Sequence, residues 1–191
     1  MTPDGLDRAA TLAINSLHCP ASDAVWTFFS MRAVWIPLYV LVIILIIWRL
    51  GWRKAALAVL AVSLSVICCD QFGGLVKDLI QRPRPCHDAD MLKAGLNILE
   101  AKGGRYGFFS NHAANAFALA LGSSIVLGAD KKHRYGWYRC IIFLWAAAVS
   151  LSRVFVGKHY LGDVLAGAAA GAVIAAVICV AARKRILTEK G

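Results

Sequence analysis

His159 and Asp163 stand four residues apart, and on a helix that spacing puts an imidazole and a carboxylate on one face. The carboxylate can hold one ring nitrogen, fixing the tautomer and stabilising the positive charge that grows as the other nitrogen attacks. This makes a histidine nucleophile. A second histidine, His112, is then the natural general acid, protonating a departing alkoxide and later taking a proton from the incoming water. Lys77, Arg84 and Arg153 are cations that would repel one another unless an anion with several oxygens lay between them, and phosphate meets that demand. Ser110, Asn111 and His112 occupy the expected first turn of a helix, whose unpaired N–H groups and positive dipole end attract anions. A serine there also serves as an ordinary N-cap.

The competing chemistry is a zinc site built from the two histidines and the aspartate. Three convergent cations oppose it, because they would repel a divalent ion and duplicate its role. No metal and no cofactor are therefore expected.

The elements that must position these residues follow from composition. Of 191 residues, 59% are hydrophobic, and the mean hydropathy of +0.62 is too apolar for a soluble domain of this length. A hydrocarbon core of about 30 Å needs about 20 residues of helix. Five stretches qualify with their flanks: Ala33–Trp48 extended upstream toward Asp23, Ala55–Val76, Asn111–Gly128, Tyr138–Phe155 and Tyr160–Ala182. The first twenty residues mix Leu6, Leu12, Ile14 and Leu17 with Asp4, Asp7 and Arg8, the pattern of an amphipathic helix lying in the interface. They lack the basic and then apolar regions of a cleaved signal peptide and are expected in the mature protein. The expectation is an all-α membrane bundle of five spans plus this interfacial helix, forming a single domain over residues 1–191 with an outer loop at 77–110.

Orientation follows from charge. Arg49, Arg53, Lys54, Lys131, Lys132, Arg134, Arg139, Arg183, Lys184, Arg185 and Lys190 fall on one side with only Asp130 and Glu189, which marks that side as cytoplasmic. Trp48, Trp52 and Trp137 fall at the same boundary, as interfacial indoles or as ordinary lipid-facing residues. A pI of 9.6 raises nucleic acid as a partner, but topology accounts for nearly all of the excess charge, so none is expected. Lys77, Arg82, Arg84, Ser110, His112, Arg153, His159 and Asp163 then all converge on the outer face.

Lys77 followed by six residues and Arg84-Pro85, then Ser110-Asn111-His112, then Ser152-Arg153 with five residues before His159 and three before Asp163, resembles the three-part signature of the type 2 phosphatidic acid phosphatase (lipid phosphate phosphatase) superfamily. The resemblance implies a metal-independent phosphatase working through a phosphohistidine, with His159 as nucleophile, Asp163 as its orienter, His112 as acid and base, and Lys77, Arg84, Ser110 and Arg153 as phosphate ligands. Phe109 and Asn111 replace the family's usual proline and glycine in the middle part. Backbone donors survive the change, while the Asn111 side chain is added beside the phosphate.

The substrate expected first is an isoprenoid diphosphate, namely undecaprenyl diphosphate, with a lipid A phosphate or phosphatidylglycerol phosphate next. This ordering rests on the resemblance and on a compact, bacterial-looking chain. The expected setting is a bacterial inner membrane, with the site outside, the C-terminus cytoplasmic, a lipid substrate as partner and the oligomeric state open. A membrane anion transporter is the rival of another class, and it would spread its charges through the depth of the spans. Only Asp70 lies deep, seven residues before Lys77 on the same face, either supporting the cations or bonding between spans. The loop Cys86–Phe109 is either an amphipathic lid or a packed loop. Gly167 and Gly171 suit close helix packing, or more weakly a homodimer. Among six cysteines, Cys19 and Cys86 alone fall outside, where a disulfide is chemically allowed.

Overall fold

The computed structural model describes residues 2–188, so Glu189 and Lys190 of the charge pattern lie outside the described residues. In chain order the helices are α1 (Pro3–Asn15), α2 (Pro20–Ser30), α3 (Ile36–Leu50), α4 (Trp52–Ile80), α5 (Ala89–Lys93), α6 (Asn111–Leu127), α7 (Gly136–Phe155) and α8 (Leu161–Thr188), with 3₁₀ turns at Ala33–Trp35 and Pro85–His87. No strand occurs among the described residues, and the expected all-α fold is the one observed.

Among the described residues, four stretches are long and apolar enough to cross a membrane: Ala33–Leu50, Trp52–Ile80, Gly136–Phe155 and Leu161–Thr188. The remaining expected span, α6, has 17 residues and is about 26 Å long. It is the central helix, packed against α4, α7 and α8. It begins after Ser110 and finishes where the Arg183 guanidinium donates to Gly128 O at 3.0 Å, alongside the far end of α8. Its small residues make that central place possible, since Ala113, Ala114, Ala118 and Ala120 are wholly buried. On α8, Gly167 and Gly171 lie directly against the backbone of Ser110 and Ala114, so a Cβ on either would collide with a carbonyl of α6. These glycines therefore serve packing inside one chain.

The first expected span differs from the observed helix. Met31 is extended (ψ 122°), which ends α2, and Pro37 in the first turn of α3 has no N–H to continue a helix from upstream. Helix α3 is apolar all round, leaving Leu41, Ile44 and Trp48 exposed toward the lipid. Trp52 and Trp137 are exposed at the same end of the bundle.

Helix α1 is fixed by polar bonds to the end of α7 and the start of α8. Asn15, almost wholly buried, donates from Nδ2 to Asn97 O (3.0 Å), Val154 O (3.1 Å) and Phe155 O (2.9 Å), while its Oδ1 accepts from Asn97 N (2.7 Å). Thr11 Oγ1 accepts from Leu161 N at 3.0 Å, and Asp7 Oδ1 from Gly162 N at 2.7 Å, satisfying amides at the start of α8. Helix α5 and the start of the loop after it are packed, with Met91 and Leu96 buried alongside Tyr160 and against Leu12 and Ile98, while residues 101–105 are exposed. All six cysteines are free; Cys19 is exposed at the N-cap of α2, and Cys86 is buried with its thiol toward Lys102 O.

Candidate active site

Helix α7 stops at Phe155, and Gly157 takes φ +75°, a conformation that favours glycine. A Cβ there would also lie 2.6 Å from Asn97 O. The reversal lets Lys158 N and His159 N both donate to Arg153 O, at 3.0 and 3.1 Å, and so folds His159 back over the end of α7. His159 thus precedes α8 instead of lying on it, which corrects the expectation of a shared helical face. The pair still meets: Nδ1 lies 3.5 Å from Asp163 Oδ2, close but not aligned as a hydrogen bond, and the residues are 3% and 0% exposed. Burial, only partly offset by Asp163, lowers the His159 pKa to about 4, so the ring is neutral at neutral pH.

Asp163 is saturated by its surroundings. Oδ2 accepts from Tyr160 N at 3.1 Å, Oδ1 from Arg82 Nη1 at 2.7 Å, and its carbonyl from Ser110 N at 3.0 Å. Arg84 enters from the segment after α4, where Arg84 N donates to Arg105 O and Gly107 N to Arg82 O, both at 2.9 Å. Its Nε donates to Tyr106 O at 3.0 Å. A Cβ on Gly107 would fall 2.9 Å from Arg84 Cγ, 3.3 Å from Asp163 Oδ2 and 3.5 Å from His159 Nδ1, which places all three side chains around one glycine.

Arg153 is 4% exposed and donates from Nη1 to Ser30 Oγ and, at 3.3 and 3.4 Å, to the carboxylate of Glu100. Lys77 donates to Asn111 Oδ1, with Gly73 O at 3.4 Å. Asn111 Nδ2 and Asn115 Nδ2 in turn donate to Asp70 Oδ1, at 3.0 and 2.9 Å. The deep acid therefore reaches the cationic lysine through an amide. Ser110 is fully buried; its hydroxyl accepts from Ala113 N and its N–H is taken by Asp163, so the amides left open in this first turn belong to Asn111 and His112. His112 faces Arg32, whose Nε–H donates to His112 Nε2 at 3.4 Å, and the cations Arg153 and Arg84 and the ring of His159 are its other neighbours.

The expected residues are thus gathered at one end of the bundle. The spacing did not reveal Arg32, Ser30 and Glu100, nor the roles of Arg82 and Asp7. Arg32 sits between two apolar stretches and Glu100 in a loop, and neither belongs to a local pattern. Beside His112 opens an apolar cleft of about 460 Å³ between α2, α3, α4, α6 and α7, with Ser30, Arg32 and Asp70 at its polar end and Ile46, Leu119 and Val149 among its walls.

A family model described as the PAP2 superfamily matches residues 54–187. A protein named lipid A 4'-phosphatase from Bacteroides thetaiotaomicron is 30% identical over 168 residues, covering 87% of this chain and 72% of that one. One of the same name from Porphyromonas gingivalis is 28% identical over 170 residues, covering 88% and 70%. Among solved structures, the transmembrane PAP2 type phosphatidylglycerolphosphate phosphatase from Bacillus subtilis superposes with a TM-score of 0.69 at 19% identity, over 92% of this chain and 83% of that one. Aquifex aeolicus LpxE does so with a TM-score of 0.63 at 22% identity, over 88% and 92%. These two share the fold.

Proposed function

The chain belongs to the PAP2 superfamily as a membrane lipid phosphatase, and from that premise we propose that it hydrolyses a phosphate monoester on a lipid A-type glycolipid through a phosphohistidine at His159. The observation that carries the chemistry is the neutral, buried His159 ring held among Asp163, Arg84 and Arg153. The two relatives named lipid A 4'-phosphatase, matched over most of this chain, favour a sugar-linked monophosphate over the undecaprenyl diphosphate expected first.

Asp163 lies against Nδ1, so Nε2 is the attacking nitrogen. Arg84, Arg153, Lys77 and the open amides of Asn111 and His112 hold the phosphoryl oxygens, where charge builds in the transition state. His112 protonates the departing sugar oxygen and then deprotonates the water that cleaves the phosphohistidine. The incoming phosphate competes with Glu100 for Arg153 and with His112 for Arg32. The cleft beside His112 offers an apolar bed for an acyl chain. The basic residues gathered at the far end support an orientation with that end cytoplasmic and the site outside, in a bacterial inner membrane.

The test is phosphate release by the full chain in detergent from lipid A, undecaprenyl diphosphate and phosphatidylglycerol phosphate, with a chelator present. Lipid A is expected to be cleaved fastest, with the chelator without effect and His159→Ala slower by about a thousandfold or more. Faster cleavage of undecaprenyl diphosphate would return the substrate to the isoprenoid class. Loss of activity to the chelator would refute the phosphohistidine route.

A further inference from the structure

Arg82 is one of the six residues that the first part of the signature leaves unspecified, yet it is the residue that grips the orienter of the nucleophile. Its Nη1 donates to Asp163 Oδ1 at 2.7 Å, and its Nη2 donates to Asp7 Oδ2 at 2.8 Å and Asp4 Oδ1 at 3.0 Å, both on α1. The guanidinium lies 4.1 Å from the centre of the Tyr160 ring, which stops it from swinging away. Tyr160 is in turn held by its hydroxyl, which donates to Asp88 Oδ2 at 2.7 Å. Arg8 closes the cluster with Nη1 2.6 Å from Asp88 and Nε 2.7 Å from Asp4.

We propose that Arg82 and Asp7 are positioning residues for the nucleophile: Arg82 fixes the rotamer that turns Asp163 Oδ2 toward His159, and Asp7 balances the charge of Arg82. This rests on the reading of His159 as nucleophile. A guanidinium paired with Asp163 alone would weaken the carboxylate's support for the imidazolium that forms as the ring attacks. Two further carboxylates on the same guanidinium oppose that loss. Asp7 can do this because its other oxygen is anchored on Gly162 N, in the same helical turn as Asp163. Helix α1, expected to lie in the lipid interface, thereby becomes part of the support of the active site.

The bland alternative is that Arg82 only ties α1 to the bundle, and the pH profile separates the two. The charged and titratable groups that bear on His159 are Asp163 from α8, Arg84 from the segment after α4, Arg153 from α7 and His112 from α6, with Arg82, Asp7 and Asp4 acting through Asp163. The full chain is assayed in detergent on a substrate that the wild type turns over, with kcat and KM measured against pH and Tm measured alongside. Each variant meets the same substrate, so any difference between acid limbs belongs to the enzyme.

Arg82→Gln is expected to lower kcat by about 10–100-fold at little change in KM and to move the acid limb up by about one pH unit, because removing a cation lets His159 protonate more readily. Asp7→Asn, which keeps an acceptor for Gly162 N, should move the limb down. Arg82→Lys keeps the charge but not the fork, so it should lower kcat and leave the limb in place. Acid limbs that stay fixed in Arg82→Gln and Asp7→Asn, with activity falling only as Tm falls, would overturn the proposal. If Arg82→Gln does not fold, Asp7→Asn and Arg82→Lys decide by the same criteria. A fully active His159→Ala would instead refute the nucleophile reading.

Discussion

Replacing Gly107 by alanine puts a methyl group where Arg84, Asp163 and His159 meet. The new Cβ would stand 2.9 Å from Arg84 Cγ, against an ordinary carbon contact of about 3.5–4.0 Å, so the arginine must retreat by about 0.6–1 Å. Arg84 cannot absorb this by a free swing, because its Nε is bonded to Tyr106 O at 3.0 Å on the same segment. The 3.3 Å approach to Asp163 Oδ2 and the 3.5 Å approach to His159 Nδ1 push the other two members the same way. A misplacement of about 1 Å in a reacting constellation costs about a hundredfold. The expected loss in kcat/KM is therefore about 30–100-fold, equal to about 2–2.7 kcal/mol of transition-state stabilisation. Overpacking should also lower stability by about 1–3 kcal/mol. Phosphate release under single-turnover conditions, at a temperature well below the Tm of the variant, separates the two effects. A Gly107→Ala enzyme within about threefold of wild type would refute the convergence of these side chains on that glycine, by the same relation between rate and barrier.

Asn15→Ala removes an amide whose two N–H donors are shared among three carbonyls and whose oxygen serves Asn97 N, which should cost roughly 3 kcal/mol and lower the Tm by about 6–12 °C in a thermal melt. The His159 pKa of about 4 predicts that the free-enzyme acid limb of kcat/KM due to the nucleophile lies near pH 4, well below the usual 6.5 for histidine, as a kcat/KM profile over pH 3.5–8 would show. The same shift has a stability consequence: the unfolded chain binds this proton first, so stability is complete above about pH 6.5 and declines as pH falls through the window down to 4, which denaturation midpoints at several pH values would reveal. Asn111→Gly cuts the amide link between Asp70 and Lys77 and should weaken binding of inorganic phosphate by about tenfold, whereas in a Lys77→Met background it should add little, a non-additivity that inhibition constants measure directly.

The sequence alone determined that most of this protein lies in a membrane and proposed the residues of its site. A chain this apolar, with about half of its basic residues gathered in three short segments, has to form membrane helices, and the length of the apolar stretches located α4, α6 and α7 to within a few residues and α8 except for its last turns. The residue types of the site were equally legible, because a histidine with an acid four residues on and three separated cations have few other uses at one membrane face. Local pattern carries no information about which segment fills a gap, and every shortfall has that origin. The break at Met31 that separates α2 from α3, the placing of His159 before α8, the commitment of the Ser110 amide to Asp163 and the use of Gly167 and Gly171 against α6 all depend on partners far away in the chain. The N-terminal helix is the clearest case. Its hydrophobic pattern describes a helix on a lipid surface, yet Asp7, Thr11 and Asn15 find buried amides and carbonyls at the ends of α7 and α8, some 140–155 residues away, and a polar group that satisfies an otherwise orphaned backbone partner outweighs a weak apolar face.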